Sequence, residues 1–178
     1  MQRWQTHLGA LALAIAAPAA LAQQSDLVGG SGGTVTYALA CASGERMTGL
    51  GARYGTVIER IRIRCTPISS TDGGWASSNH SWSNWTTSDA PQAAPSTTDI
   101  TCGNHSWVRG VRGHTVTLLN GNRVLAALEL ACHGSNNTFA ATGSALTTPM
   151  VGATGGGQWS AWTSCPSNGL ARGASGRR

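Results

Sequence analysis

The sequence predicts an all-β, disulfide-stapled fold of repeated antiparallel sheets, and three observations carry that reading. Segments 57–65 and 124–132 alternate along the chain with a period of two, and each ends in a cysteine. Each segment closes a unit that another cysteine opens, Cys41 to Cys65 and Cys102 to Cys132, and the two units align with one another. Helical patterning is absent beyond the first residues. The run Val124 to Ala131 suits a helix by propensity, but its counterpart in the first unit is β-branched.

The chain starts with Arg3 and His7 ahead of an apolar run, Leu8 to Ala20, that closes on Ala20-Leu21-Ala22. A basic start, a short apolar core and a small-x-small end describe a secretory signal peptide over residues 1–22, and the run is too short for a permanent anchor. The expected mature chain begins near Gln23 and carries a flexible Gly/Ser-rich start over 23–33. About 155 residues remain, enough for one domain with its own core over 34–178, divided into repeats at about 34–75, 76–140 and 141–178.

Within the first repeat, Val35, Tyr37, Leu39 and Cys41 share one strand face. After Cys41 come a turn, the pair Gly49-Leu50, a second turn, and a strand with Val57, Ile61, Ile63 and Cys65 on one face. Arg60, Arg62 and Arg64 line the other face. In the second repeat Gly110-Val111 matches Gly49-Leu50, about six extra residues are accommodated near Thr115 to Asn120, and Leu128, Leu130 and Cys132 match Ile61, Ile63 and Cys65. Stretches 67–100 and 133–158 are rich in Ser, Thr, Gly and Pro and read as linkers. They also hold a second repeated signature, Trp82-Ser83-Asn84-Trp85 and Trp159-Ser160-Ala161-Trp162, which can form short strands.

A third unit opens at Cys165, and Gly173-Ala174-Ser175-Gly176-Arg177 aligns with Gly49 to Arg53. By the first unit's spacing its closing cysteine falls about eleven residues beyond Arg178. The expectations are a truncated third unit, or an incompletely built third sheet, over a merely disordered tail. An open sheet edge near the C-terminus follows.

Five cysteines in an exported chain read as a disulfide framework. A cysteine at each end of a unit suggests Cys41 with Cys65 and Cys102 with Cys132, leaving Cys165 unpaired; other pairings stay open on the sequence alone. Loops of this size contribute on the order of 3 kcal/mol each by restricting the unfolded chain. No C-x-x-C pair is present to suggest zinc or thioredoxin chemistry.

The segment Gly157, Trp159, Trp162, Cys165, Pro166, followed by a glycine–apolar pair and an alternating strand closing on cysteine, resembles the repeat of the vitelline membrane outer layer protein I family. The resemblance covers most of residues 34–178. It implies a β-prism, three four-stranded sheets about a pseudo-threefold axis, here with the third incomplete. It also implies an extracellular-layer role with contact to oligosaccharides. The family's early acid in each closing strand is matched by Glu59 at most, since Ala126 stands in its place in the second unit.

All twelve basic residues are Arg, the acids number seven, and the net charge of +5 comes mainly from that scarcity of acids. An Ala-Gly-Arg bias without Lys suggests a GC-rich, bacterial genome. No basic stretch interleaves aromatics in the manner of a nucleic-acid groove, so nucleic acid is not an expected partner. Glu59 with Glu129 is the one carboxylate pair considered for glycoside chemistry, and a surface ion pair suits Glu129 better. The histidines lack a metal spacing, no G-x-S-x-G elbow appears, and no cofactor or metal is expected.

Matched recurrence of Trp82/Trp85 and Trp159/Trp162 points to core packing. Trp75 and Trp107, with His80, His105 and Asn104, are the ligand-binding candidates. The expected protein is a secreted or periplasmic, non-catalytic module for glycan or cell-surface polysaccharide, able to self-associate through its open edge. Its rivals are a purely structural surface component and a glycan-active enzyme.

Overall fold

A computed structural model describes residues 36–69, 79–86, 96–103, 105–135, 141–166 and 169–177. The expected signal peptide, the N-terminal stretch to residue 35, Trp75 and Asn104 lie outside these. The described residues are nearly all strand and turn, and none of their helices is long and apolar enough to cross a membrane.

The first sheet is a hairpin of β2 (Glu45–Tyr54) and β3 (Ile58–Pro67), flanked by β4 (Ser81–Trp82) on β3 and β5 (Ser96–Thr101) on β2. The second repeats this order. β6 (Ser106–Thr117) and β7 (Arg123–Ser135) form the hairpin. β8 (Ala141–Thr147) and β9 (Val151–Gly152) line β7, while β10 (Gln158–Trp159) and β11 (Thr163–Ser164) line β6. In each sheet the strand after the hairpin stays beside the closing strand and the next one crosses to the opening strand. The third sheet joins the two extremities of the described chain, β1 (Thr36–Ala40) against β12 (Gly173–Arg177).

One register unites the three sheets. Gly49 faces Thr101, Gly110 faces Ser164 and Gly173 faces Ala40, in each case the residue before a cysteine. The cysteine then donates its N–H to the carbonyl just before that glycine: Cys102 to Thr48 at 2.9 Å, Cys165 to Arg109 at 2.7 Å, Cys41 to Arg172 at 2.7 Å. The glycine–apolar motif thus has a physical cause. A Cβ on Gly49 would sit 2.7 Å from the Ile100 carbonyl oxygen, one on Gly110 2.9 Å from that of Thr163, and one on Gly173 would run into that of Leu39. A backbone oxygen cannot swing aside as a side chain can, so the site requires glycine. Met47 donates to the Ala171 carbonyl and Ala171 to that of Val108, both at 2.8 Å, so the residues leading into β12 link the opening strands of the first two sheets.

This is the β-prism that the resemblance implies. The inner faces share one core: Leu50, Ile61, Ile63 and Ile100 from the first sheet, Val108, Leu128, Leu130 and Val151 from the second, with Tyr37, Leu39 and Ala174 of the third partly buried against it. Cys41–Cys65 and Cys102–Cys132 are bonded at that core, and Cys165 is free. Within the stretches read as linkers, the described residues hold outer strands: β4 and β10 in the W-S-x-W segments expected to form short strands, and β5, β8 and β9 besides. Their signal is weak because side-chain hydroxyls supply part of the ladder: Ile61 N–H donates to Thr86 Oγ1, Ile63 N–H to Ser83 Oγ, Leu130 N–H to Thr148 Oγ1 and Gly113 N–H to Ser160 Oγ.

Candidate functional site

The two W-S-x-W segments build matching clusters on the outer faces of the first two sheets. In both, the serine's backbone N–H donates across the ladder, Ser83 to Ile63 at 2.9 Å and Ser160 to Gly113 at 2.8 Å. Each hydroxyl receives the neighbouring strand's N–H and donates to the next carbonyl in its own chain. This clip stands the two tryptophans of each segment beside one arginine. The Arg62 guanidinium lies 4.3 Å from the Trp82 ring centre and 4.5 Å from that of Trp85. The Arg112 guanidinium lies 4.8 Å from Trp159 and 4.9 Å from Trp162. Both spacings suit cation–π attraction.

A carboxylate completes each cluster. Arg62 pairs with Asp99 at 2.7 Å and Arg112 with Glu129 at 2.7 Å. The clusters are built on opposite flanks of the hairpin. Trp82 borders the closing strand β3, and Arg62 reaches across β2 to Asp99 on β5. Gly51 makes that crossing feasible, because a Cβ there would collide with Asp99 Oδ1 and lie 2.8 Å from Arg62 Nε. In the second sheet Trp159 borders the opening strand β6, and Arg112 meets its direct cross-strand neighbour Glu129. Glu129 is therefore an ion-pair partner, as its place on the outer face suggests.

The surroundings of the clusters differ. Arg53 reaches Trp85 at 5.6 Å, and the buried Arg64, whose guanidinium pKa is pushed down by desolvation, faces Trp82 across the strands. On the second sheet His114 is buried edge-on to Trp159 at 5.3 Å, with its Nδ1 unpartnered. Trp162 remains 36 % exposed.

The residues expected to bind ligand fare unevenly. Trp107 is a correction: its side chain is 0 % exposed, and a ring without accessible surface cannot stack on a ligand. His80 and His105 are exposed, on the approaches to β4 and β6, and no described contact joins them. His105 adopts a left-handed φ of 58°, at the place where the first repeat has Gly44 with φ 81°. The recurrent tryptophans, expected in the core, lie on the outer faces. Their signal in the sequence was the arginine at strand spacing opposite each W-S-x-W. Among the described residues no group of His, Cys, Asp or Glu is placed to hold a metal ion.

Solved lectin structures share this fold. The agglutinin of Calystegia sepium is 15 % identical, with 86 % of this chain and 87 % of that one covered at a TM-score of 0.54. The Calsepa lectin in complex with a bisected glycan is 14 % identical over 83 % and 84 %, with a TM-score of 0.54. A prostate-specific WGA16 glycoprotein lectin is 16 % identical over 86 % and 88 %, with a TM-score of 0.50. No protein-family model matches the chain, and no curated protein matches it in sequence.

Proposed function

We propose that this chain is an exported, non-catalytic glycan-binding module, a bacterial relative of the vitelline membrane outer layer protein I group, acting at the cell envelope or outside the cell. The observation that carries the reading is the pair of outer-face clusters, each setting indole surface beside a guanidinium and a carboxylate. Indole offers apolar area to the C–H faces of a sugar ring, and the charged groups offer donors and acceptors to its hydroxyls. The fold shared with lectins, one of them solved with a glycan, supports the reading. So do two disulfides, which suit an oxidising compartment. Among the described residues β12 pairs with β1 alone, and its other edge offers a route to self-association.

The test is binding of the labelled protein to a glycan array and to isolated cell-wall polysaccharide. Retention is expected, with Trp162→Ala weakening it about tenfold, the equivalent of roughly 1.4 kcal/mol. An array without a single bound glycan would overturn the reading. It would favour the structural-component alternative, which has its own support in the ion pair that already engages each cluster's arginine.

A further inference from the structure

The first sheet's outer face concentrates like charge that the fold does not require. Arg53 on β2 and Arg60 on β3 are direct cross-strand partners, so their side chains share one face. Like charges in that relation oppose each other. Arg62 and Arg64 follow on the same face of β3, which brings four guanidinium groups together. Among the described residues Asp99 is paired with one of them, Arg62. Among the described residues neither Arg53 nor Arg60 has an ion-pair partner, and the Nε atoms of Arg53 and Arg62 have no hydrogen-bond acceptor.

The second sheet serves as an internal control. Its register places His114, Ala127, Glu129 and Ala131 where the first sheet has Arg53, Arg60, Arg62 and Arg64. The same backbone therefore stands without arginine at each of these four places, and Arg112, at the place of Gly51, is paired with Glu129. Arg53 and Arg60, which no ion pair holds among the described residues, are therefore the two arginines of this face that the fold does not call for.

We propose that the outer face of the first sheet binds an acidic polysaccharide, with carboxylate or sulfate groups seated between Arg53 and Arg60 and along the row to Arg62. The proposal rests on the glycan-binding reading and adds the ligand's charge and place. A planar guanidinium meets a carboxylate or sulfate through paired N–H donors, and one such anion between two facing arginines turns repulsion into two attractions. Trp82 and Trp85 stand on the same face beside Arg53 and Arg62, so the indole area that the glycan-binding reading uses adjoins the charged row; single-stranded DNA in the test separates a glycan from another polyanion.

The experiment titrates the folded protein, disulfides intact, with oligogalacturonate and with dextran sulfate. Neutral dextran, single-stranded DNA and phosphatidylglycerol vesicles are the comparisons. The expected result is saturable binding to either acidic glycan that weakens as salt rises, with weaker binding to the three comparisons. Arg53→Ser/Arg60→Ser should lose at least tenfold in affinity, while the charge-matched Arg123→Ser/Arg172→Ser loses less than threefold. Melting temperature keeps the result interpretable. Removing two facing like charges should leave it unchanged or higher, and oligogalacturonate should raise it for the native chain but not for the Arg53/Arg60 variant. Equal losses in both double variants, or equal binding to DNA or vesicles, would overturn the proposal. Binding to neutral glycans alone would overturn it while leaving the glycan-binding reading intact.

Discussion

Gly51→Ala is expected to cost stability through a side-chain pair rather than through the backbone. The new methyl would occupy the space in which Arg62 reaches Asp99, 2.8 Å from Arg62 Nε and 2.9 Å from Arg62 Cγ. Arg62 must leave, and with it go three contacts. The ion pair, with side chains 23 % and 36 % exposed, is worth about 0.5 kcal/mol once solvent screening is counted. Contacts to Trp82 and Trp85 contribute about 0.5–1 kcal/mol each at such exposure. Against this, alanine is about 0.5–1 kcal/mol better than glycine within a strand. The net loss is about 1 kcal/mol, or roughly 4 °C in melting temperature for a domain of this size. Urea denaturation measures it, and a double-mutant cycle with Arg62→Ala isolates the cause. In the Arg62→Ala background one crowding partner is gone and Asp99, the other, is released from its ion pair and can turn away, so Gly51→Ala should become neutral or stabilising. An equal loss in both backgrounds would refute the reasoning and place the strain in the backbone.

Two further outcomes follow from the same geometry. His105→Gly should stabilise the chain by about 1 kcal/mol in urea denaturation, because a residue with a Cβ pays the left-handed strain at φ 58° that Gly44 avoids in the first repeat; a loss of stability would show that the imidazole itself is needed there. Iodoacetamide should label Cys165 alone in the native protein. Burial pushes its thiol pKa up, opposed in part by Arg109, so labelling should be slow at neutral pH and accelerate only above the ordinary thiol range. Labelling of a second cysteine, or a rate that levels off at neutral pH, would contradict this.

The hairpins and their disulfides were legible because the signal is local. Ile61, Ile63 and Cys65, and Leu128, Leu130 and Cys132, alternate on strands long enough to show their period, and each pair of cysteines brackets one hairpin. The glycine motif was visible as a recurrence, but its cause is a carbonyl on a strand far along the chain. Of the outer strands, β4 and β10 fall in the W-S-x-W segments expected to form short strands, while β5, β8 and β9 lie in stretches read as linkers, where Ser and Thr hydroxyls supply part of the ladder and little apolar alternation shows. Pairing of Thr36–Ala40 with Gly173–Arg177 joins the two ends of the described chain and leaves no local trace.

The places of Trp107 and of the W-S-x-W tryptophans differ from the expectation for a physical reason, while Trp75 lies outside the described residues. Recurrence of W-S-x-W suggested a buried role, whereas an arginine on the adjacent strand lets such a ring sit on an outer face with its apolar area partly covered. Among the described tryptophans, Trp107, which lacks the full repeat, is the one enclosed.

Side-chain NMR during a titration with oligogalacturonate tests most directly whether ligand meets the sheet faces. Indole Nε1–H signals of Trp82 and Trp85 and guanidinium Nε–H signals of Arg53 and Arg62 should move in concert and saturate together. Shifts confined to His80, His105 and their neighbouring turns, with those four side chains unmoved, would contradict it.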